Sequence, residues 1–168
     1  MTTLLKSATI IDTSSPHHNQ TKDILIVNGK IFKIANSIKK ESSFKIIELE
    51  NLHVSCGWFD TSVSFGEPGY EERETIKKGL DVASKSGFTS VAVNANTNPV
   101  IDSKSDVEFL INKAANSATK LYPIGALTKG SKGTNMAELF DMQQSGACLL
   151  YTSPSPRDVE ESRMPSSA

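Results

Sequence analysis

The stretch Cys56-Gly57-Trp58-Phe59-Asp60-Thr61-Ser62-Val63-Ser64-Phe65-Gly66-Glu67-Pro68-Gly69 decides how the chain is read. Its aromatic and β-branched residues predict a strand over residues 57–65, which Gly66, Pro68 and Gly69 close with a loop. A helix is expected over about residues 72–86. Ile76, Leu80 and Ala83 recur on one face, Glu71 and Glu72 suit the positive end of a helix, and Gly87 supplies a stop. A strand followed by an amphipathic helix is a βα unit, and a series of such units builds a parallel sheet.

Two more units follow downstream. Residues 89–93 read as a strand, 94–103 as a loop and about 106–116 as a helix. Ser105 and Glu108 form a capping box there, and Val107, Leu110, Ile111 and Ala114 fall at i, i+3, i+4 and i+7. The third unit has a strand at 120–127, a Gly-rich connection and a helix near 135–145 that ends at Gly146, with Met136, Leu139 and Phe140 as its expected core face. After Ala147 the rhythm calls for a fourth strand.

Upstream, short β-rich runs at residues 4–11, 23–27, 31–38 and 44–49 are separated by turn signals. Asn28-Gly29 readily takes positive φ at both turn positions and predicts a two-residue hairpin. The polar run 13–22 holds the adjacent pair His17 and His18. No further ligand stands at useful spacing, so this run reads as a solvated loop and not a metal site.

The expected organisation is a small β-rich flanking domain over residues 1–53, three βα units over 54–147 and a Ser/Pro-rich tail over 148–168. The tail opens with Thr152-Ser153-Pro154-Ser155-Pro156-Arg157-Asp158, a composition that cannot bury a core. Residues 148–158 also resemble translated sequencing-adapter read-through, so the tail is expected to be non-native.

Lys and Arg number 18 against 19 Asp and Glu, a net charge of -1, and such a balance argues against nucleic-acid binding. No run approaches the about 18 apolar residues of a membrane span, so no membrane partner and a cytoplasmic location are expected. Cys56 and Cys148 lack a CxxC companion and read as incidental thiols.

Beyond residue 53 the chain resembles the start of a dihydroorotase, a member of the amidohydrolase superfamily of metal-dependent hydrolases. Family members commonly read P-G-[FW]-[IF]-D-x-H-x-H-x-R-E-P-G at the first barrel strand, where this chain has the stretch from Cys56 to Gly69. A second family motif, P-N-T-x-P, appears as Asn94-Ala95-Asn96-Thr97-Asn98-Pro99. The resemblance implies an α/β fold, the N-terminal fragment of a (β/α)8 TIM barrel preceded by a small β-sandwich-like flanking domain. A complete barrel takes roughly 250 residues, so three units leave open sheet edges.

In the family, two histidines at i and i+2 on the strand point the same way and hold zinc, which acidifies water and polarises the ring amide. Those positions are Ser62 and Ser64 here, and a neutral hydroxyl is a poor zinc ligand. The family's arginine, a bidentate clamp for the substrate carboxylate, is Gly66. No cofactor and no catalytic residue are therefore expected in this chain. Asn96 matches an asparagine that contacts substrate in active relatives, and it suits a strand-ending turn equally well.

The remaining polar clusters read as structural. His53 stands outside the ligand pair, and Glu71, Glu72 and Glu74 read as a solvated face. Gly130, Lys132 and Gly133 make only a partial phosphate cradle, lacking the full P-loop spacing.

Two functions follow from the resemblance. One is a dihydroorotase-like protein of the pyrimidine-biosynthesis family that has lost hydrolysis. It would serve as a structural or regulatory partner of aspartate carbamoyltransferase or of its own copies. The other is an active cyclic-amide hydrolase whose metal is held by ligands beyond this chain.

Overall fold

The structure is a computed structural model that describes residues 1–151. It divides into two compact units, Met1–Cys56 and the residues from Gly57 onward.

In the first unit, β1 (Thr2–Ile11), β2 (Thr21–Val27), β3 (Lys30–Ala35), β4 (Lys45–Glu48) and β5 (His53–Ser55) form one five-stranded sheet. β1 pairs antiparallel with β2, and β2 antiparallel with β3. Along its other edge β1 takes two parallel partners in tandem, β4 at Thr3–Lys6 and β5 at Thr9–Ile11. Asn28 (φ 50) and Gly29 (φ 77) make the two-residue hairpin turn expected of that dipeptide.

The register of β1 shifts between Leu5 and Ala8, where Ser7 takes a φ of 53. The freed Ser7 amide donates to Asp23 Oδ1 at 2.9 Å, the Ile38 amide donates to Asp23 Oδ2 at 2.7 Å, and Lys6 pairs with the same carboxylate. A bulge leaves a backbone donor unpaired, and a buried acceptor on the neighbouring strand satisfies it. Ala8, Ile10 and Ile24 form the core beside this arrangement.

Residues 13–20 are the expected loop, while Thr21 and Lys22 belong to β2. His18 is half-buried, and its Nδ1 accepts from the Asp12 amide at 3.1 Å, so the ring holds the loop together. The rhythm change at Val54 falls inside β5, which pairs within the first unit.

The second unit contains β6 (Trp58–Val63), α1 (Ile76–Lys85), β7 (Phe88–Val93), α2 (Lys104–Lys113), β8 (Lys120–Ala126), a 3-10 turn at Lys129–Ser131, α3 (Leu139–Gln144) and β9 (Leu149–Tyr151). The four strands are parallel in the order β6-β7-β8-β9. Three βα units thus run in sequence order, as the alternation predicts. β9 begins inside the stretch read as tail, and the rest of that tail, residues 152–168, lies outside the described residues. The core between sheet and helices includes Ile76, Leu80, Val91, Val93, Val107, Leu110 and Met142.

The helix starts differ from expectation for identifiable reasons. α1 begins four residues late because Thr75 Oγ1 accepts from the Lys78 amide as the N-cap, so Glu71 and Glu72 precede the helix. In α2 the capping box is Ser103 with Asp106, two residues before the expected pair, and Ile111 turns outward. The largest departure is α3, which has only six residues. Residue 136 bridges to Thr128 and the Ala137 amide donates to Leu127 O at 3.0 Å, so this segment is extended. The helical period therefore counts from Leu139, burying Met142 (0% exposed) and leaving Met136 (58%) and Phe140 (70%) outside.

Candidate functional site

β6 and β7 are parallel neighbours that end in step. Val63 pairs with Val93, and the Asn94 amide donates to Val63 O at 2.9 Å. The side chains at the strand ends are carried into the same register. Asn94 Nδ2 donates to Ser62 Oγ at 3.1 Å, and Asn96 Nδ2 donates to Ser64 Oγ at 2.8 Å. The Ser64 hydroxyl also stands 3.0 Å from Asn96 Oδ1. Two rungs of neutral hydrogen bonds, each joining residues 32 apart, thus tie the ends of the strands.

Beside these rungs lies a cavity of about 610 Å³, lined by Thr61, Ser62, Asn94, Asn96, Thr97 and Ser131, with Ala95, Val100, Ile124 and Leu149 as its apolar part. The volume falls within the range of small-molecule sites. No charged side chain lines it among the described residues.

Gly66 follows the strand and is buried. Its amide donates to Glu74 O at 2.9 Å and its carbonyl accepts from the Tyr70 amide at 2.8 Å. A Cβ built there would stand 1.9 Å from Tyr70 O. The backbone at this position has closed on itself, so the place of the family arginine admits no side chain without a shift of the main chain.

The retained Glu67-Pro68-Gly69 segment is structural in this chain. Glu67 is 6% exposed, and its carboxylate accepts from the Ile76 amide at 2.9 Å, completing the α1 N-terminus, and from Lys113 Nζ at 2.8 Å. Gly69 lies against the second motif: the Asn98 amide donates to Pro68 O at 3.0 Å, and a Cβ on Gly69 would meet Asn98 O at 2.0 Å. The Gly66–Gly69 and Asn94–Pro99 segments are thus packed together. Sequence reasoning finds each motif but not their contact, which joins residues some thirty positions apart.

The other polar candidates are placed as follows. Glu71 accepts from the Gly69 amide at 3.0 Å, and that bond holds its carboxyl below the usual range. Glu74 departs from the solvated face expected of it: its Oε1 is buried with no hydrogen-bond partner among the described residues. At 129–133 the backbone amides are already engaged. The Gly130 amide donates to Asp102 Oδ2 at 2.6 Å and the Gly133 amide to Thr128 Oγ1 at 3.0 Å. An internal carboxylate thus takes the place a phosphate would need. His53 is exposed on β5, with Nδ1 2.6 Å from Asn51 O.

The fit of zinc is decided by donor chemistry. Ser62 and Ser64 offer neutral hydroxyl oxygens already bonded to amides, and no group of three His, Cys, Asp or Glu side chains able to hold a metal occurs among the described residues. The residues present do not fit the ion.

The chain matches the family described as dihydro-orotase-like over residues 53–158. It is 35% identical over 151 residues to the dihydroorotase of Geotalea daltonii, covering 89% of this chain and 35% of that protein. It is 38% identical over 151 residues to the dihydroorotase of Ruminiclostridium cellulolyticum, with the same coverage. The chain therefore spans about a third of the length of these curated relatives. Among solved structures it is similar to the L-hydantoinase (dihydropyrimidinase) of Arthrobacter aurescens, with a TM-score of 0.73 at 17% identity over 92% of this chain and 34% of the other. It is also similar to a dihydroorotase, with a TM-score of 0.61 at 12% identity, covering 92% of this chain and 43% of the other. These likenesses give the fold, the first part of an amidohydrolase barrel, which follows a β-rich N-terminal unit in the sequence.

Proposed function

The chain belongs to the dihydro-orotase-like family, and from that premise we propose that it comes from a cytosolic, non-hydrolytic member of that family that works as a structural or regulatory partner in pyrimidine biosynthesis. The observation that carries this reading is the pair of rungs Ser62–Asn94 and Ser64–Asn96. Where the resemblance puts two imidazoles, the side chains are hydroxyls, and their hydrogen bonds run to amides. Gly66 supports the same reading, because a carboxylate clamp at that position would need a different backbone.

Hydrolysis of a cyclic amide requires an activated water and a polarised carbonyl. Ser62 and Ser64 can orient a neutral group by hydrogen bonds but neither acidify water nor hold a dication. The partner proposed from the resemblance is aspartate carbamoyltransferase, with a second copy of the protein as the other arm of the test.

The experiment is to purify the intact protein and measure its zinc content, its turnover of dihydroorotate and its co-elution with aspartate carbamoyltransferase. Zinc well below stoichiometric, no turnover and a shared elution peak are expected. Stoichiometric zinc with turnover would overturn the reading and establish the hydrolase whose ligands lie elsewhere in the protein.

A further inference from the structure

We propose that Asn28-Gly29, the tip of the β2–β3 hairpin, is a self-modification site. The asparagine converts through a cyclic imide to isoaspartate, and the conversion releases β3 from its pairing with β2.

The Gly29 amide nitrogen gives its proton to hydroxide and attacks Asn28 Cγ. The N–Cγ bond forms, the Cγ–Nδ2 bond breaks, and ammonia leaves as that nitrogen takes a proton from water. Water then opens the five-membered imide. Breaking the new bond to Cγ gives aspartate, and breaking the original peptide bond gives isoaspartate, whose main chain runs through Cβ and Cγ. One water is consumed and one ammonia released, with no change of oxidation state.

Three observations carry the proposal. Asn28 and Gly29 are exposed, and the two-residue turn pairs Val27 with Lys30, which leaves the Gly29 amide at the tip and outside the ladder. The approach to Cγ is also sterically open. A Cβ on Gly29 would meet nothing within 4 Å, whereas every other asparagine is followed by a residue that carries a side chain. Lastly, the Met1 nitrogen donates to Asn28 Oδ1 at 3.1 Å. That oxygen gains negative charge when nitrogen adds to Cγ, and a donor already aimed at it stabilises the addition.

The consequence follows from the register. Loop length fixes which residues of a hairpin face each other, and isoaspartate lengthens the main chain of this turn by one atom. Val27 can then no longer stand opposite Lys30 while the buried Ile24 stays opposite Ile34. β3 ends the sheet order and has β2 as its one strand partner among the described residues, so it is the strand that lets go.

The test is to incubate the intact protein at mildly alkaline pH and follow each asparagine by peptide mass spectrometry. Products are separated against synthetic aspartate and isoaspartate peptides, and amide exchange in β3 is measured on the same samples. Asn28 is expected to convert at least tenfold faster than any other asparagine, chiefly to isoaspartate, with β3 losing protection in step. Gly29→Ala should slow conversion at least tenfold, because a methyl group then hinders the attacking amide. If that variant does not fold, Asn28→Gln, which would have to close a six-membered ring, should slow it as much. Asn28→Asp adds the same charge without the extra main-chain atom and should keep β3 protected. Conversion no faster than at other asparagines, aspartate as the sole product, or full β3 protection in the converted protein would each overturn the proposal.

Discussion

Asn96 Nδ2 lies 2.8 Å from Ser64 Oγ, so the asparagine that family resemblance assigns to substrate is engaged by the residue standing at a metal-ligand position. The two substitution sites are therefore coupled in this chain. Removing either partner should cost stability, and removing both should cost less than the sum. An exposed neutral hydrogen bond contributes about 0.5–1.5 kcal/mol net. A double-mutant cycle on Ser64→Ala and Asn96→Ala, read by urea denaturation, should give a coupling energy in that range. Strictly additive losses would show that the bond contributes nothing.

Gly66 makes a second, sharper demand. Because the atom its Cβ would strike is the Tyr70 carbonyl oxygen and not a flexible side-chain end, Gly66→Ala should destabilise toward the upper part of the range of about 1–3 kcal/mol seen for overpacking. Gly29→Ala is the control. Its Cβ would meet nothing within 4 Å, so it should lose only the cost of positive φ, about 1 kcal/mol. Equal losses at the two positions would show that the loop at Gly66 yields freely.

The βα rhythm, the hairpin at Asn28-Gly29 and the Ile76/Leu80 stripe were legible in the sequence because each is a local signal, set by period or by one dipeptide's preferred φ. The helix starts were less so. Thr75 caps α1 and Ser103 caps α2, but other Ser and acidic residues nearby offer the same chemistry, and at α1 the start is also held from a distance, by the buried Glu67 carboxylate on the Ile76 amide. The substitutions Ser62, Ser64 and Gly66 could be read against the family pattern. Their amide partners could not, because parallel pairing joins residues 32 apart with no local signature.

The α3 face gives a direct check on that difference. Met142 has no exposed surface and sits against Gly125, where its Sδ would be 2.9 Å from an added Cβ, while Phe140 is 70% exposed. Met142→Ala should cost about 2–5 kcal/mol, and Phe140→Ala should stay within about 0.5 kcal/mol of the parent, by thermal or urea unfolding. The reverse ranking would restore the helix start at residue 135 and the face read from the sequence.

In the first unit, Asp23 predicts a dependence on pH. Burial pushes its carboxyl up, but the Lys6 ammonium and the amides of Ser7 and Ile38 outweigh burial and hold it below the usual carboxylate range. A carboxyl whose folded value is lowered binds its proton more readily in the unfolded chain. Its stabilisation is therefore complete above the ordinary value of about 4 and is lost as the pH falls through the lower folded value. Native-state hydrogen exchange at the β1 amides should stay flat from neutral pH to about 5 and lose protection below that. Asp23→Asn leaves Lys6 without its counter-charge and should lose on the order of 3 kcal/mol at neutral pH, as breaking a largely buried pair does. The variant should also show a shallower acid slope, since the titrating group is gone. An identical slope in parent and variant would assign the acid sensitivity to other carboxylates.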